Sequence, residues 1–369
     1  MIKFIYDGVV TDENFCPRKE EIKTLNSYIK DSTNVLLIAK RRMGKTSLVH
    51  EVFKNHLDSK KYISIYVDIF DITDEYDFAN SLYRATAKSL KLDLKKLLNI
   101  LKDTFKKASF DITIGEDGSP SFSPKLVTQN CDDILADVFN GIYQYLKNNN
   151  LKGVFCIDEF QQICSIKRPL DATIRKYIQH HDNICYIFTG SKRSTLTQLF
   201  QGQKSPLMGM VTPMELGPIN QNDFFNFANK RLPKLNLMDF KQIYSMAEGE
   251  SKLIQHFLRI IANENGTNDI DIETTVDKFI REVDPLCRSL IENMSPNSKK
   301  VLKMIIHQNG STSLLSKELL NKFNLSKSSV QSAINFLLKE DIIFIDNDKY
   351  YIDGGLGSTF ALWCNKKLE

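Results

Sequence analysis

Along the first two hundred positions of this chain, hydrophobic residues alternate between two patterns. Three short runs rich in β-branched and aromatic residues, 34–39 (NVLLIA), 62–69 (YISIYVDI) and 153–158 (GVFCID), read as strands buried on both faces. A fourth, 184–190 (ICYIFTG), and a weaker fifth, 212–216 (TPMEL), complete the set. Between them apolar residues recur at helical spacing, as in 46–57, 76–90 and 131–148. Strands alternating with helices predict an α/β fold with a parallel sheet.

Three departures from that rhythm divide the chain further. Residues 110–124 carry two short alternating stretches around Gly-Glu-Asp-Gly-Ser-Pro, which predicts an inserted β-hairpin or mobile loop. From 222 to about 263 helical spacing returns through Phe224, Phe225, Phe227, Ala228, Ile243, Met246 and Ala247, the pattern of a small helical lid, and the polar text after Gly266 marks a boundary or turn. Beyond Ser295 the reading is helix 296–308, helix 315–323, helix 327–339 and two alternating segments, 342–345 and 349–352, around Asp346-Asn347-Asp348, which is a winged-helix pattern. The expected organisation is a core over 1–220, a helical lid over 221–290 and a winged-helix domain over 291–369.

Composition narrows the class without choosing a function. A chain of 369 residues exceeds one ordinary core. With 42% hydrophobic and 25% charged residues it should fold and not remain disordered. The net charge of +4 is too small to indicate nucleic-acid binding, so any basic patch must be local. Seven cysteines without a C-x-x-C pair read as reduced, mostly buried thiols, not as zinc ligands or a disulfide frame. No basic leader opens the chain and no apolar run approaches the ~20 residues that span a bilayer, so a cytoplasmic location and no membrane partner are expected.

The chemistry concentrates after the first and third predicted strands. The segment AKRRMGKTSL follows a buried run and opens a helix, and it matches G-x-x-x-x-G-K-[ST] except that Ala39 stands at the first glycine. Ala39, Lys40, Arg41, Arg42, Met43, Gly44, Lys45, Thr46 and Ser47 are therefore the expected phosphate-binding residues. Gly44 lets the amides turn toward phosphate, Lys45 supplies a point charge and Thr46 a hydroxyl for Mg²⁺. The following helix presents the positive end of its dipole. An alanine at position 39 is tolerable where φ is negative. Arg41 and Arg42 are read three ways: solvated loop charges, phosphate contacts, or contacts to a neighbouring subunit.

VFCIDEF then places two acids at the carboxyl end of a strand, where an open parallel sheet has its ligand crevice. Adjacent strand residues point to opposite sides, so the two acids should differ in role. Asp158 is expected to hold the metal and Glu159 to polarise an attacking water. The next strand ends in Thr189, Gly190 and Ser191, a place for a hydroxyl to sense the terminal phosphate, and Arg193 is placed to reach a phosphate in its own subunit or a partner's. A polar turn capping the next helix is the plainer reading of these last residues.

Taken in order, F-x-x-R-x-x-E-[IL] (Phe15 to Ile22), R-R-x-G-K-T-S-L, a strand with D-E-F-Q, a strand ending in Gly-Ser, and Pro206-Leu207-Met208-Gly209 resemble the archaeal-type ATPase family. That family lies in the AAA+-like and STAND branch of P-loop NTPases. The resemblance implies an ASCE-type P-loop core binding ATP with Mg²⁺, Pro17 and Arg18 near the adenine, a lid over the nucleotide, and a C-terminal winged helix. Pro17 stands where the family has a glycine, and Gly249-Glu250-Ser251 replaces its Gly-x-Pro.

The third winged-helix segment begins at Ser326, an expected N-cap, and Lys327, Ser328, Ser329 and Gln331 could meet duplex DNA. The acidic wing tip argues against a phosphate backbone there, so DNA and a protein partner stay level, and self-association stays open. Three functions compete at this stage. They are an ATPase with Glu159, Lys45 and Arg193 as catalytic groups, a slow nucleotide-dependent signalling switch, and a DNA-binding regulator with a structural nucleotide site.

Overall fold

The computed structural model describes residues 4–90, 110–114, 120–124, 131–191, 193–264, 270–307, 314–346 and 349–368; the side chains of 110–114, 120–124, 193–194 and 346 lie outside this description. Two compact units emerge. One comprises Arg18–Lys40 and Lys45–Gly217, the other Met1–Pro17, Arg41–Gly44 and Pro218–Glu369.

The first unit holds strands β1 (Val35–Ile38), β2 (Tyr62–Asp68), β3 (Phe110–Ile114), β4 (Pro120–Pro124), β5 (Lys152–Asp158), β6 (Ile184–Gly190) and β7 (Thr212–Glu215). Five of them form one sheet in the order β2-β5-β6-β1-β7, with every neighbour parallel. All residues of β1 and β6 are buried. Since successive side chains point to opposite faces, both faces of the centre must be covered, which is why these strands read as unbroken apolar runs. β7 is one of the two edges, and Pro213 sits there, where a missing N–H costs no ladder bond on the open side.

β3 and β4 pair antiparallel from Phe110↔Pro124 to Ile114↔Pro120, so the inserted segment is a hairpin, as the alternation predicted, with its connection outside the described residues. The helices of this unit are α1 (Lys19–Lys30), α2 (Lys45–Glu51), α3 (Glu75–Ser89), α4 (Cys131–Asn148), α5 (Asp171–Ile178) and α6 (Arg193–Gln201). They cover a core containing Phe139, Phe155, Tyr186, Phe188 and Phe200, each almost fully buried.

The expected single helix over 46–57 needs correction. α2 stops at Glu51 and Val52–His56 continues as a π turn. The wider turn carries His56 Nε2 to 3.6 Å from Glu51 Oε1, an i,i+5 approach, while Asn55 Nδ2 donates to the same oxygen at 2.9 Å.

In the second unit the chain runs through α7 (Gln221–Asn229), α8 (Leu237–Met246), α9 (Ser251–Asn263), α10 (Ile272–Glu292), α11 (Pro296–His307), α12 (Lys317–Phe323) and α13 (Lys327–Lys339). β8 (Ile343–Asp346) and β9 (Lys349–Ile352) then pair antiparallel, and α14 (Ser358–Lys367) closes the chain. Helical spacing after 222 thus becomes α7, α8 and α9, the long α10 comes next, and three helices with a ribbon follow, as expected of a winged helix. Residues 347 and 348 of the wing tip fall outside the described set, as does the side chain of Asp346.

α14 has no counterpart in the sequence reading. Its Trp363 is buried and donates Nε1–H to Asp284 Oδ1 at 2.9 Å, tying α14 to α10 one residue before Pro285. Asp271 caps α10 by accepting from the amides of Glu273 (2.9 Å) and Thr274 (3.3 Å).

Candidate functional site

Sheet order decides what can meet. The carboxyl ends of β1 and β5 flank that of β6, so the residues that follow these three strands gather along one edge of the sheet. The sequence named groups on all three.

Lys45 opens α2 and is buried, and Thr46 follows it. Thr46 Oγ1 donates to Asp158 Oδ2 at 2.9 Å across 112 positions of sequence. The same carboxylate accepts from the backbone N–H of Glu159 at 2.9 Å and, on Oδ2, from the Tyr66 hydroxyl at 2.7 Å. Asp158 is 4% exposed, so these donors replace most of the water that an ionised carboxylate would otherwise hold. Burial, reinforced by the neighbouring Asp158 charge, pushes the Tyr66 phenol well above its ordinary range, so it stays a donor. Burial likewise lowers the pKa of His50, whose ring packs against Tyr66 at a centroid distance of 4.4 Å, although Asp158 opposes the shift. The Asp68 carboxyl, paired in register with Asp158, is raised by burial and secondarily by Asp158 and Glu159.

Glu159 takes a different direction. Its φ of 55° and ψ of 38° place it in the left-handed region, uncommon for a residue with a Cβ, where the strand breaks into the 3₁₀ turn Phe160–Ser165. Its Oε2 accepts from Ser191 Oγ at 3.1 Å and from Gln161 Nε2. The two acids therefore have separate partners, but through the left-handed turn at Glu159 and not through strand alternation, because β5 ends at Asp158. Thr189, the other hydroxyl considered, is fully buried and its Oγ1 has no partner among the described residues. Arg193 begins α6, and its side chain lies outside the described residues.

Within the loop, left-handed backbone falls at Arg42 (φ 66°) and Gly44 (φ 87°), while Ala39 is not among the positive-φ positions. The first-glycine replacement is thus at a residue whose backbone does not demand glycine. A Cβ at Gly44 would meet nothing within 4 Å, so its positive φ and not crowding is what favours glycine there. Met43 and Ser47 are buried and Lys40 is exposed.

Arg41–Gly44 folds with the C-terminal unit. Arg42 donates to the carbonyl of Gly355 at 2.7 Å and to that of Leu356, and Arg41 lies 3.7 Å from Asp341 and 3.9 Å from Asp353. Arg18 is buried, donating from one nitrogen to Glu21 Oε1 (2.8 Å) and to the Gly217 carbonyl (2.9 Å), whereas the adjacent Pro17 is exposed. In the winged helix Ser326 caps α13 by accepting from the Ser329 amide at 3.1 Å, as expected. Gln331 donates to Asn335 at 3.2 Å, and Ser328 and Ser329 line a depression with Ser295, Ser298 and Phe336.

Tyr66 and His50 are not singled out by the sequence, and Gln161 enters there only as the last residue of D-E-F-Q, without a role. Tyr66 had a usable signal, a tyrosine near the carboxyl end of a predicted strand.

The donors present suit a hydrated divalent cation and a polyphosphate. A hydroxyl and a carboxylate already 2.9 Å apart can share a hard cation, and an ammonium at a helix start faces anions favourably. A five-stranded parallel sheet with this loop and acid pair, followed by a helical segment and a winged helix, defines a P-loop ATPase fold. The chain belongs to the family described as an ATPase domain predominantly from Archaea, whose model matches residues 15–257. A second model, described as a "probable winged helix domain", matches residues 286–366.

Relatives agree. The chain is similar to an ATP-binding protein of Methanocaldococcus jannaschii, 24% identical over 363 residues covering 91% of this chain and 94% of that protein. A second ATP-binding protein of that organism is 25% identical over 392 residues, covering 95% and 98%. Among solved structures, the fold matches the Walker-type ATPase of Pyrococcus abyssi with a TM-score of 0.65, 17% identity and coverage of 98% and 99%. It also matches the Aeropyrum pernix ORC2 protein, solved in ADPNP and ADP complexes, with a TM-score of 0.55, 14% identity and coverage of 96% of each chain. Among the described residues no helix is long and apolar enough to cross a membrane.

Proposed function

We propose that this chain is a Mg²⁺-dependent ATPase that couples nucleotide binding and hydrolysis to a conformational change acting on DNA or a protein partner. The observation that carries the reading is the Thr46 Oγ1 to Asp158 Oδ2 contact of 2.9 Å, with Glu159 next in the chain and turned to other partners. That arrangement supports giving Thr46 and Asp158 the metal and Glu159 the proton chemistry.

Thr46 and Asp158 would hold Mg²⁺, which when bound neutralises phosphate charge and orients the terminal group. Lys45 supplies a fixed positive charge for the β and γ phosphates, and Gly44, in its left-handed backbone, lets its amide turn toward them. Glu159 orients a water and draws its proton as the water oxygen bonds to the γ-phosphorus and the bond from that phosphorus to the bridging oxygen breaks. The products are ADP and inorganic phosphate, with the proton passing through the carboxylate to solvent or phosphate. The names of the Methanocaldococcus relatives and the family support ATP as the nucleotide. Lys327, Ser328, Ser329 and Gln331 on α13 are the surface proposed for duplex DNA.

Phosphate release measured with Mg²⁺ and with EDTA, beside nucleotide binding, tests the reading. Turnover should require the metal, Lys45→Ala should lose binding, and Glu159→Gln should bind ATP yet release phosphate at least about 100-fold more slowly. Unchanged turnover in Glu159→Gln would remove that residue from the chemistry.

A further inference from the structure

The amide of Gln161 is buried, yet the packing of the core gives no reason for it. The side chain is 6% exposed, in a position where the flanking Phe160 and the later Ile163 are apolar and buried. One end of the amide is used: Nε2 donates to Glu159 Oε2. The other end is not, since Oε1 is buried without a hydrogen-bond partner among the described residues. An unmade bond of that kind is destabilising, and a leucine or methionine of similar size would avoid it.

The amide is also confined. Gly190, the last residue of β6, lies against it so closely that a Cβ there would overlap Gln161 Oε1 and press on Leu196 Cδ1. Turning the amide over would point its carbonyl at a carboxylate, which accepts and does not donate while ionised. The acceptor at 159 therefore fixes the donor direction, and glycine at 190 leaves room for the other end of the amide. Ser191 Oγ reaches the same Oε2 at 3.1 Å, so two donors from two segments hold one oxygen of Glu159 and leave Oε1 of that carboxylate outside the pair.

Glu159 itself needs such holding. Its left-handed backbone aims the side chain away from the strand direction, and a glutamate has three rotatable bonds to lose if it is to act in one geometry. We infer that Gln161 is a positioning residue for hydrolysis, with no contact to nucleotide. It spends a buried, half-satisfied amide to hold the Glu159 carboxylate in its working orientation, and Gly190 is kept small to seat that amide. This rests on the reading of Glu159 given above.

The test is steady-state phosphate release and nucleotide affinity for the full chain and for Gln161→Leu, Gly190→Ala, Glu159→Gln and the Gln161→Leu/Glu159→Gln double variant. Gln161→Leu should lower kcat about 10- to 100-fold with KM and the dissociation constant of a fluorescent ATP analogue within about twofold of the parent. Gly190→Ala, which displaces the amide without deleting it, should lose kcat in the same direction. In the Glu159→Gln background the leucine substitution should cost nothing further, because the group it positions is already neutral.

A role in folding alone would lower affinity or thermal midpoint together with turnover, and would persist in the double variant; either result overturns the proposal. If the parent turns over, Glu159→Gln is dead and Gln161→Leu matches the parent, only the positioning role fails. If the parent and Glu159→Gln release phosphate equally, the ATPase reading fails and this inference with it.

Discussion

Glu250 offers the sharpest physical test of the C-terminal unit. Its carboxyl is 2% exposed, between α8 and α9, with Oε2 accepting from the Ser358 amide at 2.7 Å and Oε1 without a partner among the described residues. Burial raises its pKa from 4.5 to about 7; the Ser358 N–H and the Arg42 charge oppose the shift, and Asp353 adds to it. The displacement corresponds to about 3 kcal/mol between protonation states. The folded chain holds this proton at pH values where the unfolded chain has released it. Below about pH 4.5 the group contributes no pH dependence; between 4.5 and about 7 stability falls as pH rises; above that the full cost is present.

Glu250→Gln keeps an acceptor for Ser358 and removes the ionisation. The variant should therefore gain on the parent between about pH 4.5 and 7, by about 3 kcal/mol in all, and hold that gain unchanged to pH 8.5. Urea unfolding followed through Trp363 reads this unit directly, because it is the only tryptophan of the chain and is buried there. A parent-to-variant difference that stays flat over that pH range would refute the placement of a charge-starved carboxyl at this position.

Other expectations follow from single contacts. His181, held near a pKa of about 4 by burial and bonded to the Tyr186 hydroxyl at 2.7 Å, should make the first unit lose about 3 kcal/mol as pH falls from 6.5 toward 4, a slope that His181→Gln lacks in chemical denaturation. Tyr66→Phe should cost about 1–3 kcal/mol in the nucleotide-free chain by removing a donor to a buried carboxylate, read by urea midpoints; no loss would show that the hydroxyl does not hold Asp158. Phe188→Ala, at the fully buried centre of the sheet, should cost about 3–5 kcal/mol by thermal or urea unfolding. Lys327→Ala should reduce the salt slope of duplex-DNA binding by about one, measured by anisotropy, and an unchanged slope would remove Lys327 from any phosphate contact.

How far these features could be read beforehand follows from where their causes lie. β1, β5 and β6 were legible because strands covered on both faces must be apolar at successive positions, and the loop and acid pair were legible because each is written within a few residues. The order of the strands was not, since nothing local says that β6 inserts between β1 and β5. Tyr66 meeting Asp158 depends on a register set 92 positions apart. Gln161 is legible as the last residue of the D-E-F-Q motif, but its contact is not; only its burial and the neighbouring glycine show what it touches. α14 escaped because STFALWCNKK spreads its apolar residues without clear helical spacing, and its place is fixed by Trp363 reaching Asp284.

Arg41–Gly44 is written between the first strand and the helix it feeds, but it is anchored by residues more than three hundred positions later. Trimming the chain to a fragment ending near 217 would strip the Gly355 and Leu356 carbonyls from Arg42, whose left-handed backbone would then have to hold itself. Such a fragment would keep every motif residue and still present a differently shaped loop. Its nucleotide affinity would describe the fragment and not the protein.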